Sequence, residues 1–406
     1  MIYLPLRRAA GAVSSAGMAL LAGGALLLGS AVVAVPASAA DPKVIDAVGQ
    51  PVGVVSGPDG TLYVSDYNWN GGVNAYRPGE TVPYRTIKAG SGPTSLAVTP
   101  DGTLYVAQSG GAQSEIGVVA PGANEVSLVM KVSAGTHWLA VGPEGSLYVV
   151  NPEEDSLSVV KPGEAWVHRT IQAGPYPVKA ALAKDGTAYA TNQLAGTVTV
   201  IAAGAPWPSH TIDVGAKAAP HGIAAAPDGT VYVANILTND VTVIEPGGTT
   251  VVRRIPVGTA PQEVLAAADG TVYVTDSLDD FVSVIPAGAR AATRTIAVGD
   301  DPARMVQRSD GSVVVVNRRA KSLTVLDGGP AGTAAPVAPG GEEEAVGDDG
   351  GSDGAVIAKG SFDVALPAVA AGAGALSLAG AAVLVVVLRR RRKVSGAGGS
   401  EAWALD

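Results

Sequence analysis

Residues 227–235 read PDGTVYVAN, and six near-copies of the first seven letters of this phrase occur elsewhere in the chain. The copies begin at residues 58, 100, 143, 184, 268 and 309, so the acidic residue of each lies 41 to 43 residues from the next. Such a period is typical of a four-stranded propeller blade, whereas helical repeats of similar length need amphipathic helices, which this sequence lacks. Seven copies therefore predict seven blades.

Each repeat is predicted to contain four short strands. An apolar strand such as 94–98 (TSLAV) leads into an Asp-Gly turn, whose glycine supplies the positive φ of a tight hairpin. The Thr-Leu-Tyr-Val phrase forms the second strand. The third strand alternates polar and apolar residues, as in 241–244 (VTVI), and the fourth is a short phrase such as 294–296 (RTI). The pattern is that of an all-β protein.

The two ends of the repeat array predict a closed ring. The seventh repeat stops after its third strand, at 323–326 (LTVL), and an unassigned strand, 43–48 (KVIDAV), precedes the first repeat. We expect this N-terminal strand to complete the seventh blade, because closure removes open sheet edges that would otherwise aggregate. The chain contains no cysteine, so disulfides cannot stabilise it. The prediction is a seven-bladed β-propeller over residues 41–327.

Both ends of the chain indicate export and anchoring. Residues 1–40 resemble a signal peptide, with Arg7 and Arg8, a long apolar run and a PASAA sequence at 36–40; an uncleaved anchor is the alternative. A flexible, acidic Gly/Ala/Pro linker is predicted at 328–363, followed by an uncharged apolar run at 364–388 that is long enough for one transmembrane helix. The basic cluster that opens the tail, 389–406, marks the cytoplasmic side. The propeller is therefore expected on the extracellular side of the cell membrane.

The repeats resemble a known family. The phrase at 227–235, the strand at 241–244 and the sequence YVTD at 273–276 are similar to the bacterial YVTN (YncE-like) β-propeller repeat family over residues 43–327. This resemblance implies a propeller, and its members resemble surface-layer proteins, lyases and lactonases. Residues 220–223 (PHGI) also resemble a phrase of streptogramin-lyase-type propellers, which implies a histidine with nearby acidic and metal-binding residues at the funnel.

In propellers of this kind, ligands meet the face built by the loops before the first strands and the loops joining second to third strands. The ligand-binding candidates on this face are Trp69, His137, Trp138, Tyr176, Lys179, His221, Gln262, Glu263 and Arg304. The alternative for His137, Trp138 and His221 is a packing role. An Asn or Asp also ends most second strands, and we interpret it as a turn-forming residue.

Composition and motifs argue against two kinds of binding site, one for nucleic acid and one for calcium. The net charge of −9 argues against a nucleic-acid surface. Residues 66–71 (DYNWNG) match the opening of a calcium loop, but Arg77 occupies the position of its closing Glu, so a polar turn is expected. No metal, cofactor or catalytic residue is assigned.

The predicted function is a binding or scaffold module at the cell surface, with a monomeric ectodomain and an unknown cell-envelope ligand or protein partner. The alternative is a lyase- or lactonase-like enzyme that uses His137, His221 and Glu263 as acid/base groups or metal ligands. Convergence of these three side chains on the funnel would be required for that chemistry.

Overall fold

The computed structural model describes residues 42–109, 114–132, 135 and 138–328. These residues form seven separate antiparallel sheets of four strands each. Apart from a 3-10 helix at Pro152–Glu154, the described part of the chain contains no helix, so it has none long and apolar enough to cross a membrane. The predicted signal peptide, membrane span and tail lie outside the described residues, as does all of the linker except Gly328.

The first four blades follow the repeats in order. The first contains β2 (Pro51–Ser56), β3 (Leu62–Asp66), β4 (Gly72–Tyr76) and β5 (Arg85–Lys88). The second contains β6 (Pro93–Val98), β7 (Leu104–Gln108), β8 (Glu115–Val119) and β9 (Leu128–Lys131). The third contains β10 (Trp138–Val141), β11 (Leu147–Asn151), β12 (Ser156–Val160) and β13 (Arg169–Gln172). The fourth contains β14 (Pro177–Leu182), β15 (Ala188–Asn192), β16 (Thr197–Ile201) and β17 (His210–Asp213).

The last three blades continue this order until the chain returns to its beginning. The fifth contains β18 (Pro220–Ala225), β19 (Val231–Asn235), β20 (Asp240–Ile244) and β21 (Val251–Pro256). The sixth contains β22 (Pro261–Ala266), β23 (Val272–Asp276), β24 (Phe281–Ile285) and β25 (Arg294–Ala297). The seventh contains β26 (Pro302–Gln307), β27 (Val313–Asn317), β28 (Ser322–Leu326) and, from the N-terminal end, β1 (Lys43–Asp46).

The repeated phrase forms the hairpin turn between the first and second strands. In six blades the Asp carboxylate accepts a hydrogen bond from the N–H two residues further on, as Asp228 does from Thr230 at 2.9 Å. The glycine that follows lies at positive φ, for example 89° at Gly229. A side chain there would be strained, so Asp-Gly specifies this turn.

The hydrophobic core is divided into seven clusters, one between each pair of neighbouring blades. The seven first strands contact one another around a central channel. Hydroxyl groups also connect neighbouring blades: Ser65 Oγ accepts from the N–H of Gly53 at 2.7 Å and donates to the carbonyl of Thr94 at 2.8 Å. Each blade is therefore stabilised mainly by its two neighbours.

The N-terminal strand closes the ring, as predicted. β1 pairs antiparallel with β28, with Lys43 opposite Val325 and Asp46 opposite Ser322. The side chain of Ile45 is 4% exposed and packs in the cluster between the seventh and first blades. Closure thus combines backbone hydrogen bonds with one buried aliphatic side chain.

We predict that Ile45→Ala lowers the free energy of unfolding by about 2–5 kcal/mol, because it deletes buried methyl groups and leaves a cavity at the closing strand. Val44→Ala is the matched control, since Val44 is 60% exposed on the same strand, and its effect should stay within about 0.5 kcal/mol. Urea denaturation of both variants measures the difference. Equal midpoints would mean that closure does not depend on this contact.

Candidate functional site

The propeller has two rims. The loops before the first strands and the loops joining second to third strands form one, which we call the funnel face. The Asp-Gly turns and the loops joining third to fourth strands form the other, the turn face. The assignment follows from the antiparallel order of strands in every blade. Eight of the nine sequence candidates lie within the described residues, and all eight belong to segments near the funnel face.

Lys179 and Glu263 form a buried ion pair across the channel. Lys179 belongs to β14 in the fourth blade and Glu263 to β22 in the sixth, so the pair joins blades that are not neighbours. Lys179 Nζ contacts Glu263 Oε2, and the two side chains are 2% and 6% exposed. The Gln262 carbonyl oxygen lies 3.5 Å from the same Nζ. A carboxylate in such a pair is not a free general base.

Trp138 extends the cluster to the third and seventh blades. Its Nε1 donates a hydrogen bond to the Ala180 carbonyl at 3.0 Å. Lys179 Nζ lies 4.5 Å from the ring centroid, and Arg304 Cζ lies 4.2 Å from it. Both distances are in the range of cation–π attraction. The indole therefore contacts two cations from different blades at the funnel-side end of the channel.

His221 lies on β18 in the fifth blade and is partly buried. Its Nδ1 forms a hydrogen bond with the Gln262 carbonyl at 2.8 Å, and its own carbonyl accepts from Thr191 Oγ1 at 2.9 Å. A Cβ on Gly222 would lie 2.8 Å from the Gln262 carbonyl oxygen. The glycine after the histidine therefore allows β18 to approach β22 closely, which gives the PHGI phrase a structural role.

Burial shifts the ionisation of all three basic groups in this cluster. Desolvation lowers the pKa of Lys179 to about 7, although the Glu263 carboxylate opposes the shift. Desolvation and then the charge of Lys179 lower the pKa of His221 well below its ordinary value. Desolvation lowers the pKa of Arg304 to about 10. His221 is therefore neutral at physiological pH, and Lys179 titrates near neutrality.

Three of the sequence candidates do not belong to this buried cluster as the structure describes it. Trp69 is 72% exposed on the loop after β3. Tyr176 has a positive φ of 57°, and its backbone N–H donates to Asp155 at 2.8 Å, which links the third and fourth blades. His137 lies outside the described residues. The structure thus brings together Trp138, Lys179, His221, Glu263 and Arg304, with Gln262 contributing its carbonyl.

The Asn that ends the second strand is structural, as predicted. Its side-chain amide donates hydrogen bonds to the side chains five and seven residues further on in four blades, at Asn151, Asn192, Asn235 and Asn317. The sixth blade has Asp276 instead, which is fully buried and accepts from Ser283 Oγ at 2.6 Å. Burial raises the pKa of Asp276 to about 7.

The calcium-like sequence at 66–71 forms a polar turn. Asp66 Oδ1 accepts from the Gln50 N–H at 2.7 Å and from Asn68 Nδ2 at 2.6 Å. Among the described residues, no group of three or more His, Cys, Asp or Glu side chains is placed to hold a metal ion.

Sequence reasoning missed two apolar side chains on the funnel face. Leu237 and Leu278 are 71% and 66% exposed on the loops after β19 and β23, in the fifth and sixth blades. These loops correspond to the one that carries Trp69 in the first blade. The phrases Asn235-Ile236-Leu237 and Asp276-Ser277-Leu278 repeat the leucine at the same offset, and this repetition is the signal that could have found them.

A family model described as the virginiamycin B lyase family matches residues 37–324, which include every strand from β1 to β27. The chain belongs to the virginiamycin B lyase family. Membership agrees with the resemblance of residues 220–223 to streptogramin-lyase-type propellers, whereas the YVTN resemblance stays a prediction. A comparison with curated protein sequences finds no significant match.

Several solved propellers are similar to this virginiamycin B lyase family member in fold. Kuenenia stuttgartiensis hydrazine synthase is 18% identical with a TM-score of 0.62, over 68% of this chain and 95% of that one. A streptogramin B lyase is 16% identical with a TM-score of 0.58, over 70% and 96% of the two chains. A catalytically inactive virginiamycin B lyase variant from Staphylococcus aureus, solved with quinupristin, is 13% identical with a TM-score of 0.56, over 70% and 99%.

We predict that Asp276→Asn stabilises the protein increasingly as the pH rises. Because the pKa of Asp276 is raised from 3.8 to about 7 in the fold, its contribution is fully present below about pH 4 and lost as the pH rises through 7. The loss amounts to at most about 4 kcal/mol, and the variant should avoid it. Melting temperatures of wild type and variant between pH 4 and 8 measure the effect.

Asn192→Asp is the matched reciprocal variant, since Asn192 occupies the equivalent position in the fourth blade and meets two threonine hydroxyls. It should introduce the same loss of stability at high pH. A constant difference in melting temperature across this range would contradict the role given to the buried carboxyl.

Proposed function

We propose that this family member is an extracellular, membrane-anchored propeller that acts as a binding or scaffold module at the cell surface. Its partner, a cell-envelope ligand or protein, contacts the funnel face. The observation that carries the proposal is the row of exposed apolar side chains on equivalent loops, Trp69, Leu237 and Leu278, which are 66–72% exposed. Exposed apolar side chains are typical of interaction sites. Trp166 and Trp207 are exposed on the turn face as well, but the linker begins on that face.

The funnel beneath these loops supports binding more than acid/base chemistry. The Glu263 carboxylate is paired with Lys179, and the His221 ring is held against the Gln262 carbonyl. The groups expected to act as acid and base therefore already have protein partners. A ligand on this face would meet apolar side chains at the rim and a positively charged cluster at the centre.

The direction of the last strand supports a funnel face that is left open by the attachment. β28 runs from the funnel face to the turn face, and Gly328 lies against Gly311 in the seventh Asp-Gly turn, because a Cβ on Gly328 would overlap the Gly311 carbonyl. The linker therefore begins on the turn face. If residues 364–388 span the membrane, the attachment leaves from the turn face and does not cover the funnel face.

Family membership also favours the alternative of a lyase. The relative solved with quinupristin is a lyase variant with the same fold, so cleavage of quinupristin is the reaction to test. In this chain His221 would be the catalytic candidate, because its neutral imidazole can accept a proton, although burial lowers its pKa and makes it a weaker base than a free histidine.

We predict that the propeller is exposed on intact cells while the C-terminus is protected. A protease added outside should digest the propeller and spare an epitope placed after Asp406, because the basic cluster at 389–393 retains the tail in the cytoplasm. Immunoblotting of treated cells measures both parts. Permeabilised cells are the control, and loss of the epitope from intact cells would contradict the proposed topology.

We also predict that Trp69→Ala abolishes ligand binding without changing the melting temperature of the free protein. Full-length protein is melted with peptidoglycan fragments, envelope sugars and quinupristin. A ligand at about 100 times its Kd should add about 2.7 kcal/mol to the stability of the folded state. Trp207→Ala is the matched control, since Trp207 is 73% exposed on the turn face.

Two outcomes would argue against this role. Equal stabilisation of Trp69→Ala and wild type would place the ligand away from the funnel-face loops. Turnover of quinupristin by wild type that is lost in His221→Ala would favour the lyase.

A further inference from the structure

The channel contains a cavity of about 280 Å³. Its walls are consecutive residues of four first strands, β2, β6, β10 and β26, and its funnel-side end contains Trp138 and Arg304. The volume is slightly below the range of about 300–1,000 Å³ that is typical of pockets for drug-sized ligands. The cavity is therefore suited to a small molecule or to one group of a larger one.

The charges around this cavity do not balance. Lys179 is paired with Glu263, and Arg318 makes two hydrogen bonds to Asp301 at 3.0 and 2.8 Å. Arg304 is the third cation of the cluster, and it faces no carboxylate other than the one already held by Lys179. While Lys179 is protonated, one positive charge is therefore in excess near the end of the cavity.

One nitrogen of the Arg304 guanidinium has no hydrogen-bond acceptor in the described part of the chain. This nitrogen, Nη1, is closed off from bulk water. The guanidinium also lies against the face of the Trp138 ring. An aromatic face attracts the charge but does not replace oxygen acceptors for the N–H groups. A buried charged donor without an acceptor is costly, and an oxyanion next to it would supply the missing bonds.

We propose that the channel cavity binds an oxyanion, the carboxylate or phosphate group of a small molecule, through the Arg304 guanidinium. Lys179 does not line the cavity, but its Nζ lies 4.5 Å from the centroid of the Trp138 ring, which does, so the charge of Lys179 adds to the positive field there. The fork of N–H groups on arginine matches the paired oxygens of either anion. The inference deepens the proposed function, on which it rests, because it names the chemical class that the centre of the funnel recognises.

The test is a titration of full-length protein in detergent with sodium phosphate and sodium acetate, against sodium chloride at the same ionic strength. The four other tryptophans, residues 69, 166, 207 and 403, are replaced by Phe so that fluorescence reports Trp138 alone. We expect a saturable change with phosphate, acetate or both, and a parallel calorimetric signal in the wild type. Response to phosphate alone would identify a phosphate group as the ligand, and response to acetate alone a carboxylate.

Arg304→Met should weaken binding about tenfold or more, because it removes charge-assisted hydrogen bonds. Arg304→Lys keeps the positive charge but loses the paired N–H donors of the guanidinium, so this variant should bind the anion with intermediate affinity. It replaces Arg304→Met in the test if the methionine variant does not fold. Arg290→Met is the matched control, since Arg290 is exposed on the turn face of the sixth blade. Its affinity should equal that of the wild type.

Acetate affinity should also fall as the pH rises from 6 to 9, because Lys179 loses its proton in this range. The groups that face Lys179 are Glu263, Arg304, Arg318 and His221. The pKa of Arg304, about 10, lies above this range. Equal binding by Arg304→Met and wild type, an identical response to chloride, or no saturable response to either anion would overturn the proposal. The anchoring and the Trp69 surface are tested by other measurements, so the two proposals can fail separately.

Discussion

β1 lies beside β28 at the outer edge of the seventh blade, and this pairing joins the two ends of the propeller. Each hydrophobic cluster is shared by two blades, so no blade has a complete core of its own. An open array would leave one such interface exposed on each terminal blade. Ring closure removes both exposed faces with four strand residues and the side chain of Ile45. Because the chain has no cysteine, this noncovalent closure replaces a disulfide.

The closed ring also creates the site. Equivalent positions of the first strands meet around one axis, so residues that depart from the repeat are brought together although they are distant in sequence. Lys179 and Glu263 are separated by 84 residues and come into contact across the channel. Trp138 and Arg304 are added from two further blades. A single-residue change in any blade therefore alters the same small volume, which explains how one scaffold supports different ligands.

Two surfaces of different chemistry follow from this arrangement. The rim of the funnel face carries exposed apolar side chains on equivalent loops, whereas the channel carries a cluster with an excess of positive charge. A partner with an apolar body and an anionic group would match both. The turn face also carries exposed apolar side chains, including Trp166 and Trp207, but its Asp carboxylates are used in turns and the linker begins there.

The sequence by itself determined the number of blades, the hairpin turns and the strand that closes the ring, because these depend on local backbone preferences and on a period that repeats seven times. It also predicted the structural Asn at the end of the second strand. The sequence did not distinguish Asp276, which occupies this position in the sixth blade, from the asparagines. Only the tertiary structure decided which candidates interact. Two features depend on distances across the channel that no local pattern encodes. They are the Lys179–Glu263 pair and the lack of a partner for Arg304 Nη1 among the described residues. Burial then set the charge of these groups, since desolvation depends on neighbours contributed by several blades.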